Sequence, residues 1–190
     1  MKNYIKTGLT LFLICAVCAS LCAIVNQITA PVIAENQRKA DFAALQAVSG
    51  GMFPGESEVV EGVKGINSIT PLYKDEAKSE LGGYSLNLTQ KGYGGEFTII
   101  ASYYLDGSVV SAKMTNNSET AGLGKKAEND WYMAMFKDLG ASSPLPTSKN
   151  DLSESDAAAV SGATITFNGV STAIRNGSEY VKGVASGISR

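Results

Sequence analysis

Three clusters rich in glycine and small hydroxyl residues carry most of the chemical potential of this 190-residue sequence. They occupy residues 91–96 (KGYGGE), 118–124 (SETAGLG) and 160–166 (VSGATIT). Glycine lets the backbone approach a ligand closely and adopt dihedral angles closed to other residues. Taken singly, each cluster is better explained as a turn between two elements. The first two lack the strand–GxGxxG–helix context of a dinucleotide fold, and the sequence contains no P-loop.

The third cluster has a further property, because Thr164 and its neighbours directly precede a predicted helix. Free backbone N–H groups and the helix dipole favour a phosphate at such a position. The local physics therefore suits a phosphate held near Thr164. By itself this is a weak argument, since serine and threonine before a helix are more often caps.

The composition excludes several classes of protein. Without histidine, the chain cannot build a histidine-based triad, a histidine-ligated zinc or haem site, or an imidazole general base. Its 16 Lys+Arg against 18 Asp+Glu give a formal net charge of −2. A nucleic-acid binder needs a basic surface to neutralise phosphates, so we expect no nucleic-acid partner.

The elements that must position the clusters begin with a membrane segment. Residues 7–34 include no charged residue, and residues 8–25 are nearly all apolar. A helix of 18 residues spans about 27 Å, close to the thickness of a bilayer's hydrocarbon core. Lys2 and Lys6 precede it, so the positive-inside rule keeps this end in the cytoplasm. We predict a cytoplasmic N-terminus (1–7), a transmembrane helix (8–30) and an exported domain (31–190); the alternative is a cleaved signal peptide.

All three cysteines, Cys15, Cys18 and Cys22, lie inside this apolar segment at spacings that place them on one helix face. They are interpreted as small packing residues, with ligands to a metal centre shared with another subunit as the alternative. The exported part has no cysteine, so its stability must come from its core.

The exported part is predicted to be a single α+β domain with an antiparallel sheet and flanking helices. The strongest signal is a hairpin, because two strand-like runs flank Asp106 and Gly107, a favoured tight-turn pair. Pro31 predicts a kink near the membrane interface, and Asn168 is the expected N-cap of the last helix. The predicted helices are 35–48, 127–139 and 168–186; the predicted strands are 57–60, 68–74, 83–88, 97–105 and 109–114; and 141–150 is predicted to be an exposed loop.

At VSGATIT the sequence resembles a known family. The segment is similar to the covalent flavin-attachment motif of the FMN-binding domains in the G subunit of the Rnf ferredoxin:NAD oxidoreductase and in the C subunit of the sodium-translocating NADH:quinone reductase. ETAGLG resembles the family's ETPGLG segment, with Ala121 in place of proline, and GYGG matches a further family segment. Ala158 stands where relatives usually have an acidic residue, and Asn117 where they often have histidine. The motifs occur in order along essentially the whole chain.

The resemblance implies covalent FMN, attached by a flavin transferase as a phosphoester to Thr164. It implies a binding site and no catalytic or metal-ligating residue. Tyr93 and Trp131 are expected to belong to the core, with stacking on the flavin as the alternative. The implied cofactor-binding residues are Thr164, Ser161, Gly162, Ala163, Ile165, Thr166, Glu119, Thr120, Gly122, Leu123, Gly124, Tyr93 and Gly94.

By resemblance, the chain is a single-pass subunit of the inner or plasma membrane that transfers electrons within an ion-translocating ferredoxin:NAD+ oxidoreductase, without turnover of its own. The implied partners are the other membrane, iron–sulfur and flavin subunits. The coupling ion is left open between Na+ and H+. The alternatives are the C subunit of the quinone reductase, a stand-alone extracytoplasmic FMN-binding protein, and a structural membrane-anchored module without a cofactor.

Overall fold

A computed structural model describes residues 2–187 of the chain. The outer ends of two predicted segments, the cytoplasmic N-terminus and the exported domain, lie outside the described residues at residue 1 and at residues 188–190. The chain divides into two compact units between Lys39 and Ala40. Each unit is described by itself below.

The first unit is one uninterrupted helical segment, the greater part of α1 (Lys2–Val48). Its large apolar side chains, from Tyr4 to Ile33, are exposed. By length and composition this helix can cross a membrane, and it is the one such helix in the part of the chain that the structure describes. Pro31 lies inside the helix and does not end it. The predicted span and the predicted helix after it are therefore one continuous helix.

The second unit begins with the last turns of α1, which end before Gly50 and Gly51, both with positive φ. An antiparallel sheet follows, in the order β1-β3-β4-β5-β6, with β2 also paired to β3. The strands are β1 (Phe53–Pro54), β2 (Glu58–Val59), β3 (Ile66–Tyr73), β4 (Leu81–Lys91), β5 (Glu96–Tyr104) and β6 (Val109–Asn116). The α+β prediction is confirmed, as is the hairpin around Asp106 and Gly107. Among the strands that the structure describes, only the two-residue β1 was not predicted from the sequence.

The main core lies between one face of the sheet and α4 (Thr164–Ala185). Alternate side chains of β5, among them Phe97, Ile99 and Tyr103, point to this face, as the two-residue period of a strand requires. Tyr103 is fully buried, and its hydroxyl donates to the Ile174 carbonyl at 3.0 Å. Gly177 accommodates this ring, because a Cβ there would lie 2.8 Å from Tyr103 Cζ.

The opposite face of the sheet is covered by the end of α1. Ala44 and Val48 pack against Ile100, whose side chain points away from the α4 face. Asn87 on β4 adds a polar contact, donating through Nδ2 to Asp41 Oδ2 at 3.2 Å. The last turns of α1 are thus part of the folded domain.

Three predicted boundaries are wrong. The predicted helix 127–139 is instead a 3₁₀ helix (Gly124–Glu128), then the short α2 (Asp130–Ala134) and turns. The chain cannot continue helically because Asp138 has φ 62° and its N–H donates to the Val109 carbonyl. The predicted loop 141–150 ends in a 3₁₀ helix (Lys149–Asp151), followed by α3 (Glu154–Ala159), which lacks an apolar period.

The last boundary concerns α4, which begins at Thr164 and not at Asn168. Its N-cap is Ala163, whose side chain can form no capping hydrogen bond. Asn168, the predicted polar cap, lies five residues after Ala163, the actual N-cap. The correction makes Thr164 the first residue of the helix.

Candidate functional site

The topology brings the three small-residue clusters to one edge of the sheet. The first cluster is the turn between β4 and β5, where Lys91 pairs with Glu96. The second follows the end of β6, where Asn116 pairs with Thr98. The third leads into α4, which packs on β4 and β5. Antiparallel neighbours alternate in direction, so the end of β4, the start of β5 and the end of β6 share one edge.

A cavity of about 400 Å³ opens between the clusters. This volume lies within the range of small-molecule sites. Ten residues line it: Tyr93, Glu119, Thr120, Leu123, Gly124, Gly162, Ala163, Thr164, Ile165 and Thr166. All ten belong to the implied cofactor-binding set. The remaining three of that set, Gly94, Ser161 and Gly122, lie beside lining residues in the chain but do not line the cavity.

Thr164 is the first residue of α4, a helix of 22 residues, and its side chain is half-buried. The first N–H groups of a helix have no partner within it, and Ala163 supplies no capping oxygen. Gly162 precedes this position with φ 84°, a conformation that favours glycine. The result is a helix end whose N–H groups and positive dipole remain available beside a threonine hydroxyl.

Glu119 is the buried carboxylate of the site, with 6% of its surface exposed. Its Oε1 accepts from the Gly94 N–H at 3.1 Å, and its Oε2 accepts from the Thr166 hydroxyl at 3.0 Å. Its own N–H donates to Asn117 Oδ1 at 2.7 Å. One side chain from the second cluster therefore bonds to both of the others.

Three of the residues that line the cavity have large apolar side chains that are exposed. Tyr93 is 75% exposed, Leu123 42% and Ile165 56%. Trp131 is 44% exposed and contacts the ring of Tyr132 at a centroid distance of 5.6 Å. The expectation that Tyr93 and Trp131 belong to the core is wrong. Tyr93 lies in the connection between β4 and β5, outside the cluster of buried side chains that forms the main core.

Two buried polar atoms near Glu119 have no hydrogen-bond partner among the residues that the structure describes. They are Asn117 Nδ2, on the residue that accepts from the Glu119 N–H, and the Tyr132 hydroxyl. Burial raises the pKa of Tyr132, and the negative charge of Glu119 raises it further. Buried donors without partners are uncommon in native proteins and call for a local explanation.

Sequence reasoning missed some residues that shape the site. Gly92 belongs to the first cluster but not to the implied cofactor-binding set. A Cβ at Gly92 would overlap Glu119 Oε1, so the glycine makes room for that carboxylate. Lys126 donates through Nζ to the Ala159 carbonyl at 3.2 Å and so holds the 3₁₀ helix against the end of α3. The proximity of Gly92 and Lys126 to these partners is set by tertiary contacts, which no local pattern reports. Within residues 2–187 no group of three His, Cys, Asp or Glu could hold a metal ion.

Two family models match the chain. A model described as the RnfG N-terminal region matches residues 1–48, and one described as the FMN-binding domain matches residues 92–179. The second match includes all three motifs of the cavity.

Three curated relatives are similar over most of their length. The G subunit of the Na(+)-translocating ferredoxin:NAD(+) oxidoreductase complex of Acetobacterium woodii is 28% identical, over 91% of this chain and 89% of the relative. The G subunit of the proton-translocating ferredoxin:NAD(+) oxidoreductase complex of Clostridium ljungdahlii is 25% identical, over 88% and 85% respectively. The G subunit of the ion-translocating oxidoreductase complex of Vibrio atlanticus is 23% identical, over 95% and 92%.

Proposed function

We propose that this chain is a G subunit of an Rnf complex, the electron-transferring flavin subunit of an ion-translocating ferredoxin:NAD+ oxidoreductase. Its matches to the RnfG N-terminal region and to the FMN-binding domain, and its similarity to the G subunits named above, support this. The observation that supports this most strongly is the cavity at the sheet edge. All three motif clusters line it, and Thr164 stands in it at the start of α4.

The residues of the cavity fit the two ends of FMN. The uncapped helix end beside Thr164 offers N–H donors and a positive dipole to the phosphate. Tyr93, Leu123 and Ile165 offer exposed apolar surface to the planar ring. Among the described residues, Asn117 Nδ2 is a buried donor without a hydrogen-bond partner, two residues before Glu119 of the cavity wall.

We propose that FMN is attached covalently, through a phosphoester to the Thr164 hydroxyl made by a flavin transferase. In the net reaction the hydroxyl and the phosphate lose one water. A tether prevents loss of the cofactor by dilution outside the cytoplasm. Thr164 is then an anchor and not a catalyst, with Ser161, Gly162 and Ala163 shaping the turn before it.

In this function the polypeptide binds FMN and tunes its reduction potential. Bound FMN supplies the chemistry of electron transfer, and the surrounding charge and hydrogen bonds set its reduction potential. The negative charge of Glu119, beside Thr120 in the cavity wall, disfavours added negative charge nearby. No acid–base or nucleophilic step is assigned to the chain, so turnover belongs to the assembled complex.

We propose that residues 8–30 span the membrane, that residues 1–7 stay in the cytoplasm and that residues 31–190 are extracytoplasmic. Lys2 and Lys6 before the apolar run support this orientation. The partners are the other membrane, iron–sulfur and flavin subunits of the complex. A reporter enzyme that is active only outside the cytoplasm should be active when fused after residue 190 and inactive when fused before residue 1.

The attachment is tested by the intact mass of the full-length chain, produced together with a flavin transferase and purified in detergent. The wild-type mass should exceed the sequence mass by one FMN less water, and the yellow chromophore should survive acid denaturation. Thr164→Ala should remove both. Thr172→Ala is the matched control, because it removes a hydroxyl from the same helix outside the cavity.

Flavin mass retained on Thr164→Ala after denaturation would overturn the assignment of the attachment site. Flavin that is absent from wild-type protein under these conditions would overturn covalent binding. Assembly is tested separately: affinity purification of the tagged chain from its own membranes should recover the other subunits in fixed ratio, whereas a stand-alone flavoprotein would be recovered alone.

A further inference from the structure

The Glu119 carboxylate joins parts of the chain that are far apart in sequence. Gly94, its Oε1 partner, is 25 residues away, and Thr166, its Oε2 partner, is 47 residues away. Gly94 directly follows Tyr93 on one wall of the cavity. Thr166 lies two residues after Thr164, in the first turn of α4 on the other wall. The two walls are thus connected through one side chain.

The glycines of the first two clusters leave room for this side chain. A Cβ on Gly124 would lie 2.5 Å from Glu119 Oε2 and 2.8 Å from Thr166 Oγ1. A Cβ on Gly92 would overlap Glu119 Oε1, and one on Gly94 would lie 3.0 Å from the Glu119 Cα. Gly92 and Gly124 therefore leave room for the carboxylate, and Gly94 leaves room for the backbone of Glu119.

The chemistry of the contacts suits an ionised carboxylate. Both partners of Glu119 are donors, and a carboxylate only accepts. Among residues 4–187, no lysine or arginine lies within salt-bridge distance of it. A buried anion without a cation is costly unless it is hydrogen-bonded. The two charge-assisted bonds therefore offset its burial and depend on each other's geometry.

We propose that Glu119 is the positioning residue of the flavin site. It holds the Tyr93 wall at a fixed separation from the helix end that carries Thr164, before flavin is attached. This inference rests on the proposed function, since the two walls become a cofactor site only if FMN is attached there. Glu119 acts through Gly94 and Thr166; it takes no part in forming the ester.

The test uses the full-length chain in detergent, with Glu119→Ala, Glu119→Gln and Thr166→Val. In Glu119→Ala, the initial rate of flavin attachment should fall at least about tenfold, because the acceptor of a charge-assisted bond is gone from both walls. Thr166→Val keeps the side-chain shape but removes one donor, and should give a smaller loss. Glu119→Gln should keep most of the wild-type attachment rate. Its amide oxygen can accept from the Gly94 N–H, and its amide NH2 group can donate to the Thr166 hydroxyl.

A second readout needs no flavin. In a Thr164→Ala background, Glu119→Ala should speed amide hydrogen exchange at least about tenfold at Gly92, Gly94 and residues 167–170, whose N–H groups are hydrogen-bonded. The remaining strands should be unchanged. Asp75→Ala is the matched control. It removes a carboxylate that accepts two hydrogen bonds from Ser79, in the turn between β3 and β4 and outside the cavity, and should alter neither attachment nor exchange at the walls.

The outcomes separate the two proposals. Unchanged attachment and unchanged local exchange in Glu119→Ala would overturn the role of Glu119 while leaving Thr164 as the attachment site. Exchange that rises equally across the whole domain would also overturn it, since that indicates general destabilisation. Flavin that remains attached to the Thr164→Ala chain would overturn the proposed function itself, whatever the Glu119 variants do.

Discussion

Gly124→Ala should destabilise the domain strongly, although alanine is the better helix former. Gly124 is buried at the start of a 3₁₀ helix and has no positive φ, so the alanine backbone is unstrained. The new methyl carbon would lie 2.5 Å from Glu119 Oε2 and 2.8 Å from both Glu119 Cβ and Thr166 Oγ1. Ordinary carbon contacts are about 3.5–4.0 Å, so these groups must move apart.

The magnitude follows from three contributions. Overpacking a tight site costs about 1–3 kcal/mol. Lengthening the bond from Thr166 to the Glu119 carboxylate forfeits up to about 1.5–3 kcal/mol. Alanine also lowers the conformational entropy of the unfolded chain, which stabilises the folded state by about 0.4–1 kcal/mol. The net loss is about 2–5 kcal/mol, which for a domain of this size lowers the Tm by roughly 4–20 °C.

The assay is thermal and urea unfolding of the full-length chain in detergent, followed by circular dichroism. Gly122→Ala is the matched control in the same cluster. Gly122 has φ 77°, and a Cβ there meets nothing within 4 Å. Gly122→Ala should therefore destabilise the domain only through the left-handed backbone conformation, by about 1–2 kcal/mol. If Gly124→Ala proved no more destabilising than Gly122→Ala, the close packing of Gly124 against the carboxylate would be refuted.

Three further results are expected. Tyr132→Phe should stabilise the flavin-free chain against urea by about 1 kcal/mol, because it removes a buried hydroxyl that has no partner among the described residues; a loss of stability would contradict this. Gly177→Ala should destabilise by about 1–3 kcal/mol, because the methyl group meets the Tyr103 ring, and equal or higher stability would show that the ring can move. Hydrogen bonds from the Ser108 hydroxyl and N–H lower the pKa of Asp106, so its pKa in the folded state lies below its pKa in the unfolded state. These bonds therefore stabilise the fold above pH 3.8. Their contribution is lost as the pH falls through the folded-state pKa. Asp106→Asn should therefore flatten the fall in urea midpoint below pH 3.8; an unchanged pH profile would be the contrary result.

Local patterns sufficed for the elements whose stability is local or periodic. The apolar run identified the candidate span, and alternation around Asp106 and Gly107 identified the hairpin. Local sequence patterns failed where a hydrogen bond to a distant strand ends a helix. The residues after Phe136 have helical composition, but the Asp138 N–H and the Leu139 carbonyl both bond to Val109 of β6, which ends the helix.

The site was predictable as a set of residues but not as an arrangement. The resemblance selected the three clusters, and all ten residues lining the cavity are among those it implied. It did not indicate that Glu119 would bond to both other clusters, because its partners are 25 and 47 residues away. Nor did it indicate that α4 begins at Thr164, since the helix lacks the polar cap by which such starts are recognised.

The placement of Thr164 also depends on the far end of α4. Ser178 donates through Oγ to the Gly107 carbonyl at 2.6 Å, and Lys182 donates to the Gly140 carbonyl. These bonds hold the helix at the hairpin turn, on the edge of the sheet opposite the cavity. Fourteen residues of α-helix separate Ser178 from Thr164, a distance of about 21 Å. Because a helix packed along β4 and β5 is stiff over that length, contacts at one edge of the sheet set the position of its first residue at the other. Thr164, the proposed attachment residue, is therefore positioned from two directions, by the bond from Glu119 to Thr166 and by the fixed axis of α4.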